Sequence, residues 1–196
     1  MFMQVIQGHV RDAEALRQRA EAWRDELMPQ AEGFLGSTMG VTPDGTGVLI
    51  ARFESEHDAR ANSDTPHQSA WWRDTRDVFD GDVEFIDCID CDTVMGGGSD
   101  DARFVQLIEC RVKDREAMRE MGRAMEAELR ERRPDVLGAV IGWKDEHECV
   151  QVMYFADEEQ ARAGERTMQD DSAAGQWQDM LEGEPRFLDL RDPMFT

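Results

Sequence analysis

The feature that most constrains this chain is an internal repeat. When the sequence is shifted by 102 residues and laid over itself, 26 of the 89 paired positions from residue 2 to residue 90 are identical. The matches include Phe2/Phe104, Gln4/Gln106, Asp12/Asp114, Leu35/Leu137, Gly36/Gly138, Phe53/Phe155, Arg60/Arg162 and Asp87/Asp189. Because the copies align almost without gaps, the repeat predicts two versions of one structural unit. We place them at 1–94 and 103–196, joined by a glycine-rich linker at 95–102.

Each copy has the same predicted order of elements. Apolar, β-prone segments at 2–10 and 104–112 predict opening strands. Asp12 and Asp114 follow at helix N-cap positions, each with a glutamate two residues later. Two strands are predicted next (34–41 and 47–54; 136–143 and 149–156), and then a second helical region and a last strand (83–90; 186–190).

The order strand-helix-strand-strand-helix-strand is that of the ferredoxin-like unit. Its antiparallel sheet is covered by helices on one face, so the other apolar face needs a partner. We therefore predict an α+β fold, a tandem ferredoxin-like repeat whose two sheets pack face to face within one chain.

Composition excludes several functions. The formal net charge of −21 disfavours nucleic acid and anionic membranes, since both attract basic proteins. No apolar run approaches the roughly 20 residues that span a bilayer, and the start of the chain lacks the features of a secretory signal, so we expect a cytoplasmic protein. Cys88 and Cys91 would point to opposite faces of an extended strand, and no second pair accompanies them, so neither a metal nor a cofactor site is predicted.

Residues 63–72 read Ser-Asp-Thr-Pro-His-Gln-Ser-Ala-Trp-Trp. With the element order, this segment resembles the histidine and aromatic stretch of antibiotic-biosynthesis-monooxygenase-like domains in the dimeric α-β barrel superfamily. In that family two subunits usually pair their sheets; here one chain is expected to supply both halves, as in fused members. A homodimer of the fused barrel is left open. The resemblance implies a small-molecule ligand and a cofactor-independent monooxygenase that acts on a small aromatic or polyketide-like compound.

His67 and Asn62 are the candidate catalytic residues. A neutral imidazole can act as a general base near neutral pH, and an Asn side chain can hydrogen-bond a developing oxyanion. The alternatives are local. Thr65-Pro66-His67-Gln68 also reads as a capping box, which would leave His67 exposed in the first turn of a helix, and Asn62 could end the helix before it.

The candidate substrate-binding residues are aromatic or polar. Trp71 and Trp72 point about 100° apart on a helix, so one of them could line a pocket while the other packs in the core. The polar residues occupy paired strand positions in the two copies: His9, Arg52, Arg111 and Tyr154. A location at a strand edge would explain these four equally well.

Two other functions remain open at the sequence level. The first is a non-catalytic ligand-binding or interaction protein that has kept the fold. The second is haem binding or degradation, known in related barrels, which requires a histidine that faces an open cleft.

Overall fold

The computed structural model describes residues 1–169 and 172–196. The strands are β1 (Phe2–Val10), β2 (Phe34–Val41), β3 (Thr46–Phe53), β4 (Phe79–Cys88), β5 (Asp90–Val94), β6 (Phe104–Arg111), β7 (Val136–Trp143), β8 (Glu148–Phe155) and β9 (Arg186–Phe195). The helices are α1 (Ala13–Glu26), α2 (Glu56–Ser63), α3 (Pro66–Arg76), α4 (Arg115–Arg132), α5 (Glu158–Gln169) and α6 (Ser172–Asp179), with a 3-10 turn at Met28–Gln30.

The chain divides into two compact units. Unit 1 comprises Met1–Ile89 together with Asp192–Thr196. Its strands are hydrogen-bonded in the order β4-β1-β3-β2, all antiparallel. The last residues of the chain extend this sheet beside β2, because Ser37 and Thr196 exchange two backbone hydrogen bonds of 2.8 and 3.2 Å.

Unit 2 comprises Asp90–Arg191. Its strand order is β9-β6-β8-β7-β5, again antiparallel. Strand β5 is the end of the first sequence copy but pairs with β7, from Asp90 opposite Trp143 to Val94 opposite Ala139. Each unit therefore contains the short final segment of the other sequence copy. The predicted boundaries (1–94, 95–102 and 103–196) refer to the sequence copies and not to these compact units, and they stay a prediction.

The glycine-rich segment after β5 packs closely onto unit 2. A Cβ atom at Gly138 of β7 would collide with the carbonyl oxygen of Gly97. Only glycine, which has no Cβ atom, allows the backbone at Gly97 to lie this close to β7 at position 138.

The helices begin where the sequence predicts. The Asp12 side chain accepts hydrogen bonds from the backbone N–H groups of Glu14 and Ala15, and the Asp114 side chain accepts one from Ala117. In α1, Leu16 and Trp23 are buried against the sheet, and in α4 Met118 is buried. Both N-caps are confirmed, and the apolar stripe of each helix faces its sheet.

Strand residues on both faces of each sheet are buried. In unit 1, Phe2 lies on the face toward the helices, whereas Met3 and Val5 lie on the opposite face. All three residues are at most 1% exposed. In unit 2, Val105 and Val152 are completely buried on the face away from the helices. The predicted α+β tandem ferredoxin-like fold is confirmed. In the part of the chain that the structure describes, no helix has both the length and the apolar character needed to cross a membrane.

Candidate functional site

Each unit has a cavity between its helices and its sheet, and the two differ greatly in size. The unit 1 cleft, bounded by β1, β2, β3 and the three helices of that unit, has a volume of about 90 Å³. The unit 2 cavity has a volume of about 570 Å³. Cavities of about 300–1,000 Å³ are typical of small-molecule sites, so unit 2 holds the stronger candidate.

The walls of the unit 2 cavity are mainly apolar. Four methionines and three aromatic residues contribute to them: Met118, Met121, Met125, Met153, Phe155, Trp177 and Phe187. Methionine is flexible and polarisable, and it packs well against aromatic rings. The lining therefore suits a flat apolar molecule and can adjust to its outline.

The size difference has a direct origin in the repeat. Trp23 of α1 corresponds to Met125 of α4, and Ala20 corresponds to Gly122; all four line their respective cavities. Trp23 is nearly buried and donates its indole N–H to Gln68 at 2.7 Å, so its ring occupies the space that the smaller side chains leave empty in unit 2. Large-to-small replacement on the inner face of one helix thus opens the second cavity.

A polar cluster lies on the wall of the unit 2 cavity. Gln106 of β6 donates its side-chain N–H to Asp189 of β9 at 2.9 Å, and Arg162 of α5 forms an ion pair with the same carboxylate. Arg162 also contacts both oxygens of Glu165 at 3.0 Å. Burial acts to lower the pKa of Arg162, but the hydrogen bonds and negative charges of Glu165 and Asp189 outweigh it and raise that pKa. The guanidinium therefore remains charged at the edge of an apolar cavity.

Unit 1 contains the same cluster at equivalent positions. Gln4 donates to Asp87 at 2.7 Å, and Arg60 pairs with Asp87 at 2.5 Å. The hydrogen bond and the charge of Asp87 raise the pKa of Arg60. Because both units have the cluster, its first role is to hold α2 or α5 against the neighbouring strands. Its three shared members, Gln106, Arg162 and Asp189 in unit 2, are identities in the repeat, whereas Ser63 stands where unit 2 has Glu165. The sequence alone assigned the shared residues to the fold and named none of them as a site residue.

Gln151 distinguishes unit 2 from unit 1, where Leu49 occupies the equivalent position. Gln151 lines the cavity, is 7% exposed and donates its side-chain N–H to Cys110 Sγ at 3.6 Å. Because the side chain lies on the cavity wall, its amide oxygen can accept a hydrogen bond from a ligand.

A buried ion pair lies at one end of the same cavity. Arg133 lines the cavity and pairs with Asp135 through two hydrogen bonds of 2.9 and 2.7 Å. Their side chains are only 10% and 7% exposed. The guanidinium also lies against Gly164, where a Cβ atom would collide with it. This pair fixes the wall where α4 meets the strand that follows it.

The two predicted catalytic residues lie in unit 1, and only Asn62 lines its cleft. Thr65 caps α3 by accepting from the backbone N–H of Gln68 at 3.2 Å, which is one half of the predicted capping box. The Gln68 side chain instead accepts from Trp23, and His67 is exposed in the first turn of the helix. His67 does not line the unit 1 cleft, whereas Asn62 does and is half-buried. The structure therefore does not bring these two side chains together in one cavity.

The two adjacent tryptophans separate as their helical spacing predicts. Trp71 lines the unit 1 cleft and donates its indole N–H to the backbone oxygen of Arg19 at 2.8 Å. Trp72 packs in the core beside Phe79 and Phe85, with ring centroids 6.4 and 5.1 Å away.

The four polar strand residues lie outside both cavities. His9 is exposed and its ring lies over Gly45. Arg111 is exposed at the end of β6 and forms ion pairs with two glutamates. Arg52 is half-buried, with a buried Nε that has no hydrogen-bond partner, and Tyr154 is 1% exposed on the face away from the cavity. A substrate-binding role for these four residues stays a prediction.

Among the described residues, no group of three or more His, Cys, Asp or Glu side chains is arranged to hold a metal ion. Cys88 lies in β4 of unit 1 and Cys91 in β5 of unit 2, so the CxxC spacing spans the boundary between the two units.

Comparison with known proteins identifies the fold. No family model matches the chain, and no curated protein matches it. Among solved structures, a provisionally assigned monooxygenase from Lactobacillus acidophilus NCFM is similar over 96% of this chain and 92% of its own, with 16% identity and a TM-score of 0.71. A second provisionally assigned monooxygenase, from Fusobacterium nucleatum, is similar over 97% and 91%, with 11% identity and a TM-score of 0.71.

An anthrone oxidase-like protein is similar over 100% of this chain and 92% of its own, with 12% identity and a TM-score of 0.66. The chain therefore shares its fold with these three solved structures over nearly its whole length. At these identities the likeness establishes the fold and leaves the activity to be argued from the cavities.

Proposed function

We propose that the protein is a cofactor-independent monooxygenase-like enzyme that binds a small aromatic or polyketide-like molecule in the unit 2 cavity. The observation that carries the proposal is the cavity of about 570 Å³, with its apolar walls and few polar groups. Such a lining excludes water from a bound aromatic ring, while the carboxamides of Gln106 and Gln151 can orient its oxygen atoms. The monooxygenase-like fold supports the assignment.

The chemistry requires little from the protein. For an anthrone, a base removes a proton from the CH₂ group, and the resulting carbanion reacts with dioxygen to give a hydroperoxide. Loss of water then leaves a carbonyl, so that R₂CH₂ and O₂ yield R₂C=O and H₂O. On the cavity wall, Glu165 and Asp189 are the carboxylates that could accept the proton.

The amide oxygen of Gln151, on the cavity wall, would hold the substrate by accepting a hydrogen bond from one of its phenolic hydroxyl groups. Gln106 and Gln151 are diagonal neighbours on β6 and β8, because Gln106 is opposite Met153 and Ile108 is opposite Gln151. Diagonal neighbours on one sheet face are roughly 7–8 Å apart, which is within the span of a fused-ring aromatic molecule.

Oxygen uptake with anthrone tests the proposal, measured against the rate of spontaneous oxidation in buffer. The intact protein should consume one dioxygen per anthrone and form anthraquinone. Met125→Trp introduces the residue that fills the unit 1 cleft and should lower kcat/KM by about tenfold or more, equivalent to about 1.4 kcal/mol of transition-state binding. Met125→Leu is the matched control and should remain close to the unchanged protein, because its volume is similar.

The same assay separates the rival sites. Uptake that is lost in His67→Ala but retained in Met125→Trp would assign the chemistry to unit 1 and overturn the proposal for unit 2. No uptake above background, with any variant or with the intact protein, would refute monooxygenase activity toward this class of substrate.

A second candidate function is ligand binding without catalysis. The observation in its favour is that Arg162 forms ion pairs with both carboxylates of the cavity, those of Glu165 and Asp189. An ion-paired carboxylate is a weaker base, so neither group is well suited to remove a proton. Calorimetric binding of 1,8-dihydroxyanthraquinone, combined with no oxygen uptake, would select this function. Haem binding has less support, since none of the four histidines lines either cavity. A Soret band on titration with hemin would reverse that conclusion.

A further inference from the structure

Two cysteines lie opposite each other in the sheet of unit 2. Cys110 of β6 is the direct cross-strand partner of Cys149 of β8. Their sulfur atoms are 3.2 Å apart and share a hydrogen bond, and no disulfide joins them. The residues are 8% and 2% exposed. Adjacent antiparallel strands therefore hold two thiols in contact on the helix-facing side of the sheet.

The pair belongs to unit 2 alone. The equivalent positions of unit 1 are Gly8 and Gly47, which are also directly opposite each other. A Cβ atom at Gly47 would collide with the Val10 side chain, so unit 1 has no room for a cysteine there without rearrangement. The paired thiols are therefore a feature of the unit 2 sheet that the unit 1 sheet lacks.

The surroundings of Cys110 favour its thiolate. Its sulfur interacts with the thiol of Cys149 and accepts a hydrogen bond from the side-chain N–H of Gln151. The hydrogen bond from Cys149 lowers the pKa of Cys110 most; burial opposes this effect, and the bond from Gln151 adds to it. The thiolate is the nucleophilic form of cysteine, so Cys110 is the member of the pair prepared to attack.

The pair is separated from the unit 2 cavity by a single layer of side chains. Gln151 lines the cavity and contacts Cys110 directly. Met118, Met121 and Trp177 line the cavity and also pack in the apolar cluster that contains both cysteines. A small oxidant in the cavity would have only these side chains between it and the thiols.

We propose that Cys110 and Cys149 form a dithiol that reacts with hydroperoxides and closes to an intramolecular disulfide. The Cys110 thiolate attacks the terminal oxygen of R–OOH, the O–O bond breaks, and R–OH leaves after it takes up a proton. The resulting sulfenic acid on Cys110 is attacked by the Cys149 thiolate, which forms the S–S bond and releases water. Overall, two thiols and R–OOH give one disulfide, R–OH and H₂O.

The inference does not depend on monooxygenase activity, since an added hydroperoxide supplies the oxidant. The reduced protein is treated with one molar equivalent of cumene hydroperoxide without oxygen, then denatured and titrated for thiols. The thiol count should fall from the four cysteines of the chain to two, and peptide mapping should find Cys110 linked to Cys149.

Two variants make the test specific. Cys110→Ala should abolish the rapid loss of thiols, whereas Cys91→Ala should still lose two, because Cys91 is outside the pair. A count that stays at four, a disulfide that involves Cys88 or Cys91, or equal oxidation of Cys110→Ala would overturn the proposal. If Cys110→Ala does not fold, peptide mapping of the unchanged protein decides the matter by itself.

Discussion

Replacing Asp135 by Asn should destabilise the protein strongly. The substitution keeps the size of the side chain but removes the negative charge that faces Arg133. Both side chains are at least nine-tenths buried and share two hydrogen bonds, at 2.9 and 2.7 Å. Breaking one partner of such a pair leaves a buried charge without its counterion and costs about 3–5 kcal/mol. In a chain of this length, that loss lowers Tm by roughly 6–20 °C.

Urea denaturation and a thermal melt of Asp135→Asn provide the measurement. The matched control is Glu128→Gln, which removes the carboxylate of an ion pair with Arg132 whose side chains are about half exposed. Exposed pairs on a helix contribute about 0.3–0.5 kcal/mol, so this variant should change little. Equal losses of stability in the two variants would show that burial does not determine the strength of the Arg133–Asp135 pair, and the reasoning would then be wrong.

Three further outcomes follow from the structure. Gln151→Leu, which places the unit 1 residue in unit 2, should weaken binding of 1,8-dihydroxyanthraquinone by about five- to tenfold through one lost hydrogen bond, and calorimetry should show unchanged binding of anthraquinone. Asp90 accepts a hydrogen bond from Arg119 at 2.6 Å, which lowers the pKa of Asp90; its stabilising effect is therefore present above its unfolded pKa and is lost as pH falls. Urea denaturation from pH 7 to pH 2 should show a shallower acid dependence for Asp90→Asn, and an unchanged slope would count against this ion pair. Asp114→Ala removes the cap that accepts from Ala117 at 3.0 Å and should cost about 1 kcal/mol in the same assay, whereas a cost near zero would contradict the role of the cap.

Much of the fold could be predicted because its determinants are local or repeated. Asp12 and Asp114 mark helix starts through side-chain hydrogen bonds to the next turn, and these can be recognised without tertiary information. The alternating apolar segments predicted the strands in the same way. The repeat also predicts the same order of strands and helices in each copy, so the prediction for one copy checks the prediction for the other.

The pairing of the final segment of each copy could not be predicted. Residues 90–94 belong to the first copy in the sequence, yet they form β5 and pair with β7 of unit 2. Short polar strands such as Asp90–Val94 have weak patterns, and their partners are chosen by which sheet edge is available. That information lies in the tertiary structure.

The larger cavity leaves only an indirect signal in the sequence. His67 and the tryptophans are residue types that carry chemistry, but the cavity arises where side chains are small or flexible, at Gly122 and Met125. A small side chain at a cavity wall produces no recognisable sequence motif. Only comparison of Trp23 with Met125 across the repeat could have indicated that the second copy has the more open interior.

The most direct test of the account is a crystal structure of the protein with bound 1,8-dihydroxyanthraquinone. We predict electron density for the ligand in the unit 2 cavity, between the methionines of α4 and the strands, with one hydroxyl group within hydrogen-bond distance of Gln151 Oε1. Ligand density confined to the unit 1 cleft, or an empty unit 2 cavity under conditions where calorimetry shows saturation, would contradict the account.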